Sequence, residues 1–462
     1  MWGQFYRKSV NTMLFRKIES YIKDYLQGGD DRILIVEGAR QIGKSFIIRK
    51  VASELFPNYV EVNLLEDKDG LRQFEKVTTV EDFYLQLGMI GGEHLSTYED
   101  TIVFLDEIQE YPHLLTMLKF LRQDHRFHYI ASGSLLGLTL HRSTSVPLGS
   151  IHIKKMYPLD FEEFLIANHV GEEVIRHICD KYKKRESLDE AIHNRVIDLF
   201  RKYLLAGGMP DAVNRYIETH NIVEVRKVQN DIHDLYEVDA SKYDISNKLK
   251  IERIYKMIPS LMENKKKRVI MKDIEDKIGT RYSSYQEEFE YLIDSGIALE
   301  VKAVSGPRFP LLESGTKNLL KLYLNDVGIL TGILYRNNIR SVLDTQCSVN
   351  LGSVYESVVA QELNAHGYDT FYYDNKKNGE VDYLIDDYSS LSVLPIEVKS
   401  GKDYTVHSAL DRFVTNPDYN VAEAFVFSNE REVVKKDKIV HLPIYYVMCL
   451  QADSTDGNNL TF

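Results

Sequence analysis

From Asp31 the chain passes from polar residues into an unbroken apolar run, Ile33-Leu34-Ile35-Val36, and then reaches Gly38. Such a run, ending at glycine, reads as a strand buried on both faces that enters a turn. A helix is expected over Ser45–Leu55, with further short strands at Tyr59–Asn63, Thr101–Leu105 and His128–Ala131. Helical stretches such as Leu114–Gln123 separate them. Strands alternating with helices predict a parallel sheet covered on both faces. Beyond Asp160, Phe161, Phe164, Leu165, Phe200, Tyr203 and Leu204 recur at helical spacing until Gly207-Gly208-Met209-Pro210 interrupts them.

Residues 250–335 read as three helices, Ile251–Met262, Met271–Ile278 and Tyr285–Ser295, then strands Ala298–Val304 and Lys321–Leu324 around a Gly-Pro loop. Three helices followed by a hairpin is the order of a winged helix. The last block, about 350–462, is α/β again. It opens with a helix at Gly352–His366, and strands are expected at Thr370–Tyr373, Val381–Ile385, Leu394–Val398, Ala424–Phe427 and Pro443–Val447. Asn337–Asn350 is the candidate interdomain linker.

Composition narrows the class. The 462 residues are 44% apolar and 27% charged, which excludes wholesale disorder. A net charge of -12 argues against a chain coated with basic charge for nucleic acid, though not against a local basic patch. No apolar run approaches about 18 residues, so no membrane helix is expected. Met1–Arg16 lacks the apolar core and cleavage site of a secretory signal. Cys179, Cys347 and Cys449 have no metal-site spacing and cannot all pair, so a reduced, cytoplasmic setting is expected.

The chemistry begins at Gly38-Ala39-Arg40-Gln41-Ile42-Gly43-Lys44-Ser45, which fits G-x-x-x-x-G-K-[ST] between a strand and a helix. The glycines let the loop turn its N–H groups onto a phosphate, and the following helix start adds its positive dipole end. ATP is the expected ligand, held by residues 38–45 and Phe46, with Lys44 on its β- and γ-phosphates and Ser45 on Mg²⁺. The partner motif is Ile102-Val103-Phe104-Leu105-Asp106-Glu107. Asp106 is expected on the metal's outer shell, and Glu107 as the base for the attacking water. The strand ending Ala131-Ser132-Gly133-Ser134 offers Ser132, with Ser134 as rival, to the γ-phosphate or that water.

These three motifs together resemble the archaeal-type branch of the AAA+ ATPases. So do Arg40-Gln41, Ile108-Gln109, Tyr157-Pro158-Leu159-Asp160-Phe161 and Gly207-Gly208-Met209-Pro210. The resemblance covers essentially the whole chain. It implies an ATPase core over 1–160, a helical lid over 161–245, a winged-helix-like domain over 246–335 and a restriction-endonuclease-like α/β domain over 350–462. In this branch a Gly-x-Pro element in the lid stands where other AAA+ proteins keep a sensor arginine. The family often carries Gly-Arg shortly before Tyr-Pro-Leu, where this chain has Gly149-Ser150. Arg142 is the candidate substitute for that arginine finger.

In the last block, period-two alternation puts Glu397 and Lys399 on one strand face, opposite Leu394, Ile396 and Val398. Asp382 faces away from Val381 and Tyr383, so adjacent strands can bring Asp382, Glu397 and Lys399 together. Glu356, on the preceding helix, shares a face with Ala360 and Leu363 and can join them. Two carboxylates, Asp382 and Glu397, can hold a second divalent metal, and a lysine can orient or deprotonate a water, as phosphodiester hydrolysis needs. The arrangement resembles the restriction-endonuclease-like fold, with Val381 where that motif's proline often stands.

The basic run Lys265-Lys266-Lys267-Arg268 is a candidate phosphate contact, although Glu287, Glu288, Glu290 and Asp294 on the third helix disfavour groove binding. His125 and His128 flank a strand with no third ligand, so no zinc is assigned. The leading expectation is an ATPase whose nucleotide state controls a metal-dependent nuclease-like domain. The alternative is an ATP-driven switch whose inactive nuclease-like domain binds protein or nucleic acid. A winged-helix DNA-binding regulator is a third. Homo-oligomerisation is open under each.

Overall fold

A computed structural model describes residues 13–137, 149–242, 248–264, 267–275, 281–314, 316–343, 351–401 and 408–452. The amino-terminal sheet holds β1 (Ile33–Glu37), β2 (Asn58–Asn63), β3 (Thr101–Asp106), β4 (His128–Gly133) and β5 (Ile151–Lys155). Their order is β2-β3-β4-β1-β5 and every pairing is parallel. β1 and β3 are buried at every position, as continuous apolar runs require when helices cover both faces. The four expected strands are present. β5 was not anticipated, since Ile151-His152-Ile153-Lys154-Lys155 alternates weakly and is only half-buried.

The helical region after β5 is stitched to the sheet. Asp160 caps the helix Phe161–Ala167 in a reciprocal capping box with Glu163. The long helix Glu190–Ala206 buries Phe200, Tyr203 and Leu204 and ends at Gly207. The Leu159 N–H donates to the Gly208 carbonyl at 2.7 Å. A Cβ at Gly208 would lie 2.0 Å from the Leu159 carbonyl oxygen, so this contact requires glycine. The helix Pro210–Thr219 starts directly after it, with proline in its first turn.

The second sheet has eight strands and mixed direction. It comprises β6 (Ala298–Val304), β7 (Thr316–Leu324), β8 (Phe371–Asn375), β9 (Gly379–Asp387), β10 (Ser392–Val398), β11 (Ala424–Ser428), β12 (Val434–Lys436) and β13 (Ile439–Pro443). Their order is β12-β13-β11-β10-β9-β8-β6-β7. Thus the hairpin of the middle region does not stand apart: β6 pairs parallel with β8 through Lys302–Val304 and Phe371–Tyr373. One sheet crosses the sequence boundary between the middle and last blocks. Its three preceding helices are Lys248–Glu263, Met271–Glu275 and Gln286–Asp294.

Two local expectations are corrected. Pro443–Val447 is not a strand: β13 ends at Pro443 and a 3₁₀ helix spans Ile444–Cys449. The apolar run there is buried on all sides, and periodicity cannot separate a buried strand from a buried helical turn. The expectation of reduced cysteines also fails, because Cys179 and Cys449 form a disulfide that joins the helix Glu172–Lys184 to this turn. The two lie 270 residues apart, a proximity that spacing cannot reveal. Cys347, Lys265, Lys266, Arg142 and residues 344–350 of the linker lie outside the described residues. Among the described residues, no helix is long and apolar enough to cross a membrane.

Candidate functional site

β3, β4 and β1 are neighbours, and each ends in one of the expected motifs. The phosphate loop, the acidic pair and the serine pair therefore meet at one sheet edge, where open parallel sheets bind ligands. The loop runs from β1 into the helix Lys44–Leu55. Gly43 sits at φ +90°, in the left-handed region that favours glycine. A Cβ at Gly38 would lie 2.3 Å from the Met156 carbonyl oxygen. Lys44 is buried and its ammonium donates to the carbonyls of Gly38 and Ala39 at 2.9 and 2.8 Å. Burial lowers its pKa, against the attraction of Glu107 and Asp106.

The Ser45 hydroxyl donates to Asp106 at 2.8 Å, so the two side chains expected around Mg²⁺ already touch. Burial raises the Asp106 pKa, while hydrogen bonds from Ser132 and Ser45 oppose the rise. Glu107 has φ +56°, a left-handed conformation uncommon for glutamate, and it aims its carboxylate at Gln109 and Ser134. Their donors reach Glu107 Oε2 at 2.5 and 3.0 Å. Burial pushes Glu107 up, but Lys44, Gln109, Arg40 and Ser134 together hold it below the usual carboxylate range. Such a group is ionised and can accept a proton. The serines divide differently from the sequence expectation. Ser132 is fully buried, donates to Asp106 and accepts the Glu107 N–H at 3.2 Å, whereas Ser134 contacts Glu107 itself.

Four contacts that spacing does not disclose fix the loop from outside. Arg40 pairs with Asp239 at 2.7 Å, and the Tyr236 hydroxyl donates to the Arg40 carbonyl at 2.9 Å. Both partners lie on the helix Ile222–Lys242. Arg16 Nη1 donates to the Ile42 carbonyl at 2.9 Å, and Gly296 abuts Ala39. A cavity of about 460 Å³ opens beside the loop. Lys44, Ser45 and Glu107 line one part of it, and Met13, Leu14, Phe46, Pro210 and Leu235 supply an apolar part. Charged donors beside an apolar slot fit a nucleotide, whose phosphates and base need those two environments.

The last-block residues also converge. β9 and β10 are antiparallel with Tyr383 opposite Ile396, which sets Asp382 beside Glu397. Asp382 Oδ2 accepts the Val398 N–H at 2.8 Å. Lys399 Nζ lies 2.7 Å from Glu397 Oε1, while Glu397 Oε2 is buried with no hydrogen-bond partner. Burial and the nearby Asp382 charge raise the Glu397 pKa to about 8, against the pull of Lys399. Glu356 projects from the helix Gly352–Ala365, and burial and Asp382 raise its pKa too. Two middle-block lysines join them. Lys267 contacts Glu356, and the fully buried Lys321 on β7 reaches Glu380 at 2.6 Å. Sequence reasoning missed Lys321; its signal was a lysine inside the apolar run Leu319-Leu320-Lys321-Leu322.

A divalent ion held by Asp382 and Glu397 fits the unpartnered Glu397 oxygen and the excess of carboxylates, since Mg²⁺ commonly uses one or two protein carboxylates. Among the described residues, no three His, Cys, Asp or Glu side chains form a ligand set. His128 instead packs on the Tyr98 ring at 4.1 Å.

Residues 30–165 match the family model of an AAA domain. The fold and motif geometry of this part define a P-loop ATPase of the AAA type. Residues 197–339 match a domain of unknown function (DUF8612), and residues 351–447 match another (DUF4143). No curated protein matches the chain in sequence. Among solved structures, the chain is similar to the Walker-type ATPase PABY2304 of Pyrococcus abyssi, with TM-score 0.42 and 15% identity over 69% of this chain and 95% of that one. It is also similar to the Thermotoga maritima RuvB Holliday junction branch migration motor, with TM-score 0.30 and 16% identity over 63% and 91%.

Proposed function

We propose that the ATPase site governs a nuclease-like site in the last block. The single observation that carries this reading is the helix Gly352–Ala365, which bears Glu356 and is also tied to the segment that follows β5 of the ATPase core. Near its start Glu356 enters the acidic cluster. One turn and a half later, Glu362 accepts the Phe161 N–H at 2.9 Å, and the Tyr203 hydroxyl, which donates to the Leu159 carbonyl at 2.7 Å, also contacts it. Gln361 accepts the Val327 N–H at 2.9 Å and donates to Tyr203. The segment after β5 is thus fastened to the helix that carries Glu356.

At the nucleotide site, the loop N–H groups and Lys44 hold the phosphates. Ser45 and Asp106 would hold Mg²⁺, which would neutralise phosphate charge. Glu107 accepts the proton of the water that attacks the γ-phosphorus, as the bond to the β-bridging oxygen breaks. Ser132 fixes Asp106 and the Glu107 backbone, and Gln109 and Ser134 fix the Glu107 carboxylate. At the second site, Asp382 and Glu397 would hold a divalent metal, and Lys399 would orient the water that attacks the phosphorus as the P–O ester bond breaks.

The test incubates the protein with DNA and RNA, single-stranded and linear duplex, plus Mg²⁺ or Mn²⁺, with and without ATP. Cleavage by the wild type that is lost in Lys399→Ala and altered in Lys44→Ala is the expected result. Intact substrate throughout, with ATP still consumed, rejects the nuclease reading. It leaves an ATP-driven switch with a binding platform, a reading favoured by the cover that Lys267 places on Glu356.

A further inference from the structure

The acidic cluster carries three lysines of different standing. Lys321 is fully buried on a strand, and its ammonium also faces the Tyr372 ring at 4.7 Å. Lys399 follows directly on β10 and pairs with Glu397 within the same block. Lys267 belongs to neither strand. It lies on the loop after the helix Lys248–Glu263 and reaches across to Glu356 on another element. Its side chain is 21% exposed and that of Glu356 only 7%. Lys267 sits at φ +44°, a left-handed conformation that lysine rarely adopts, and this aims it at the carboxylate. Arg268 Nη1 anchors the loop on Asp374 at 3.3 Å. The Ser353 hydroxyl, at the start of the helix that carries Glu356, donates to Glu263 at 2.5 Å. Beside this pair, Glu397 keeps one oxygen buried and unpartnered.

We infer that Lys267 is an intramolecular plug: its ammonium occupies the Glu356 side of the acidic cluster and competes there with a divalent cation. This rests on the nuclease-like reading of the site and adds its regulation. A cation at Asp382 and Glu397 gains from Glu356 only when Glu356 is free of Lys267. The Lys267 side chain is the replaceable part, since the loop itself is pinned to β7 where the Val269 N–H donates to the Leu320 carbonyl at 3.0 Å. The helix before it reaches toward the nucleotide site. Its Tyr255 hydroxyl meets His233 at 2.8 Å, on the same helix as Tyr236 and Asp239, which hold the phosphate loop. Lys267 and Arg268 therefore face carboxylates of the last block in this conformation.

The test is Mn²⁺ binding to the full chain without nucleotide, read from the loss of the free-ion electron paramagnetic resonance signal. Wild type, Lys267→Ala, Arg268→Ala and the double variant Lys267→Ala/Glu397→Gln are compared. Arg268→Ala removes the same charge from the same loop without touching Glu356. Lys267→Ala is expected to tighten Mn²⁺ binding about tenfold or more, as release of a mostly buried carboxylate from its ion pair implies. Arg268→Ala should tighten it by less than about threefold, as for a solvent-screened pair. The double variant should lose the gain. Equal effects of Lys267→Ala and Arg268→Ala, no tightening, or a gain that survives Glu397→Gln would each overturn the plug. Tighter Mn²⁺ binding without nucleic-acid cleavage sinks the nuclease reading and leaves the plug standing. Cleavage unaffected by Lys267→Ala does the opposite.

Discussion

Replacing Glu397 by glutamine tests the electrostatics of the acidic cluster directly. Burial and the Asp382 charge raise the Glu397 pKa from 4.5 to about 8. At about 1.4 kcal/mol per tenfold, ionising this side chain costs the folded chain about 5 kcal/mol relative to the unfolded one. The sign follows from the direction. A raised acid pKa means that the folded state holds the proton more tightly, so its stabilising share is complete below pH 4.5 and disappears as pH rises through 8. About 4 kcal/mol of the loss falls between pH 5 and pH 9. Glutamine keeps the shape and cannot ionise. Urea unfolding of the chain, followed at pH 5 and pH 9, should show the wild type losing about 4 kcal/mol more than Glu397→Gln. Divalent metal at pH 9 should restore part of that loss only in the wild type. Equal pH dependence of the two proteins, within about 1 kcal/mol, would refute the reasoning.

Gln109→Ala removes the shortest hydrogen bond to the Glu107 carboxylate and should lower kcat for ATP about tenfold, with KM nearly unchanged; steady-state kinetics decide, and a pure KM effect counts against the assignment. Gly208→Ala forces a Cβ to within 2.0 Å of the Leu159 carbonyl oxygen and should destabilise the chain by about 3 kcal/mol or more, measured as a lowered Tm. The Cys179–Cys449 disulfide leaves Cys347 to react, so unfolded, unreduced protein should titrate one thiol and reduced protein three. Loss of the bridge should cost about 2–5 kcal/mol of stability.

The order of strand and helix in the ATPase core was legible because its signals are local. A buried parallel strand needs a continuous apolar run, and a loop that wraps phosphate needs glycine at fixed steps followed by lysine and serine. The same holds for Asp106 and Glu107, and for the shared face of Glu397 and Lys399, where period two and strand adjacency suffice. Other features depend on which elements become neighbours. The hairpin β6–β7 looks like a local wing until β8 pairs with it. Ser132 and Ser134 differ only by where β4 ends relative to β3, which sends one to Asp106 and the other to Glu107.

What the sequence by itself determined is therefore the chemistry available: a phosphate loop, a pair of acids behind a buried strand, and a carboxylate–lysine set on two strands. The tertiary structure alone decided what holds those groups and how they are charged. Lys321 and Lys267 are a strand lysine and a loop lysine in sequence, and become counter-ions of Glu380 and Glu356 only when the middle block closes on the last one. The cause is the low dielectric of the interior. Burial makes each carboxylate expensive to ionise, and only contacts between distant segments, such as Lys267 with Glu356 or Phe161 with Glu362, determine which of them is compensated.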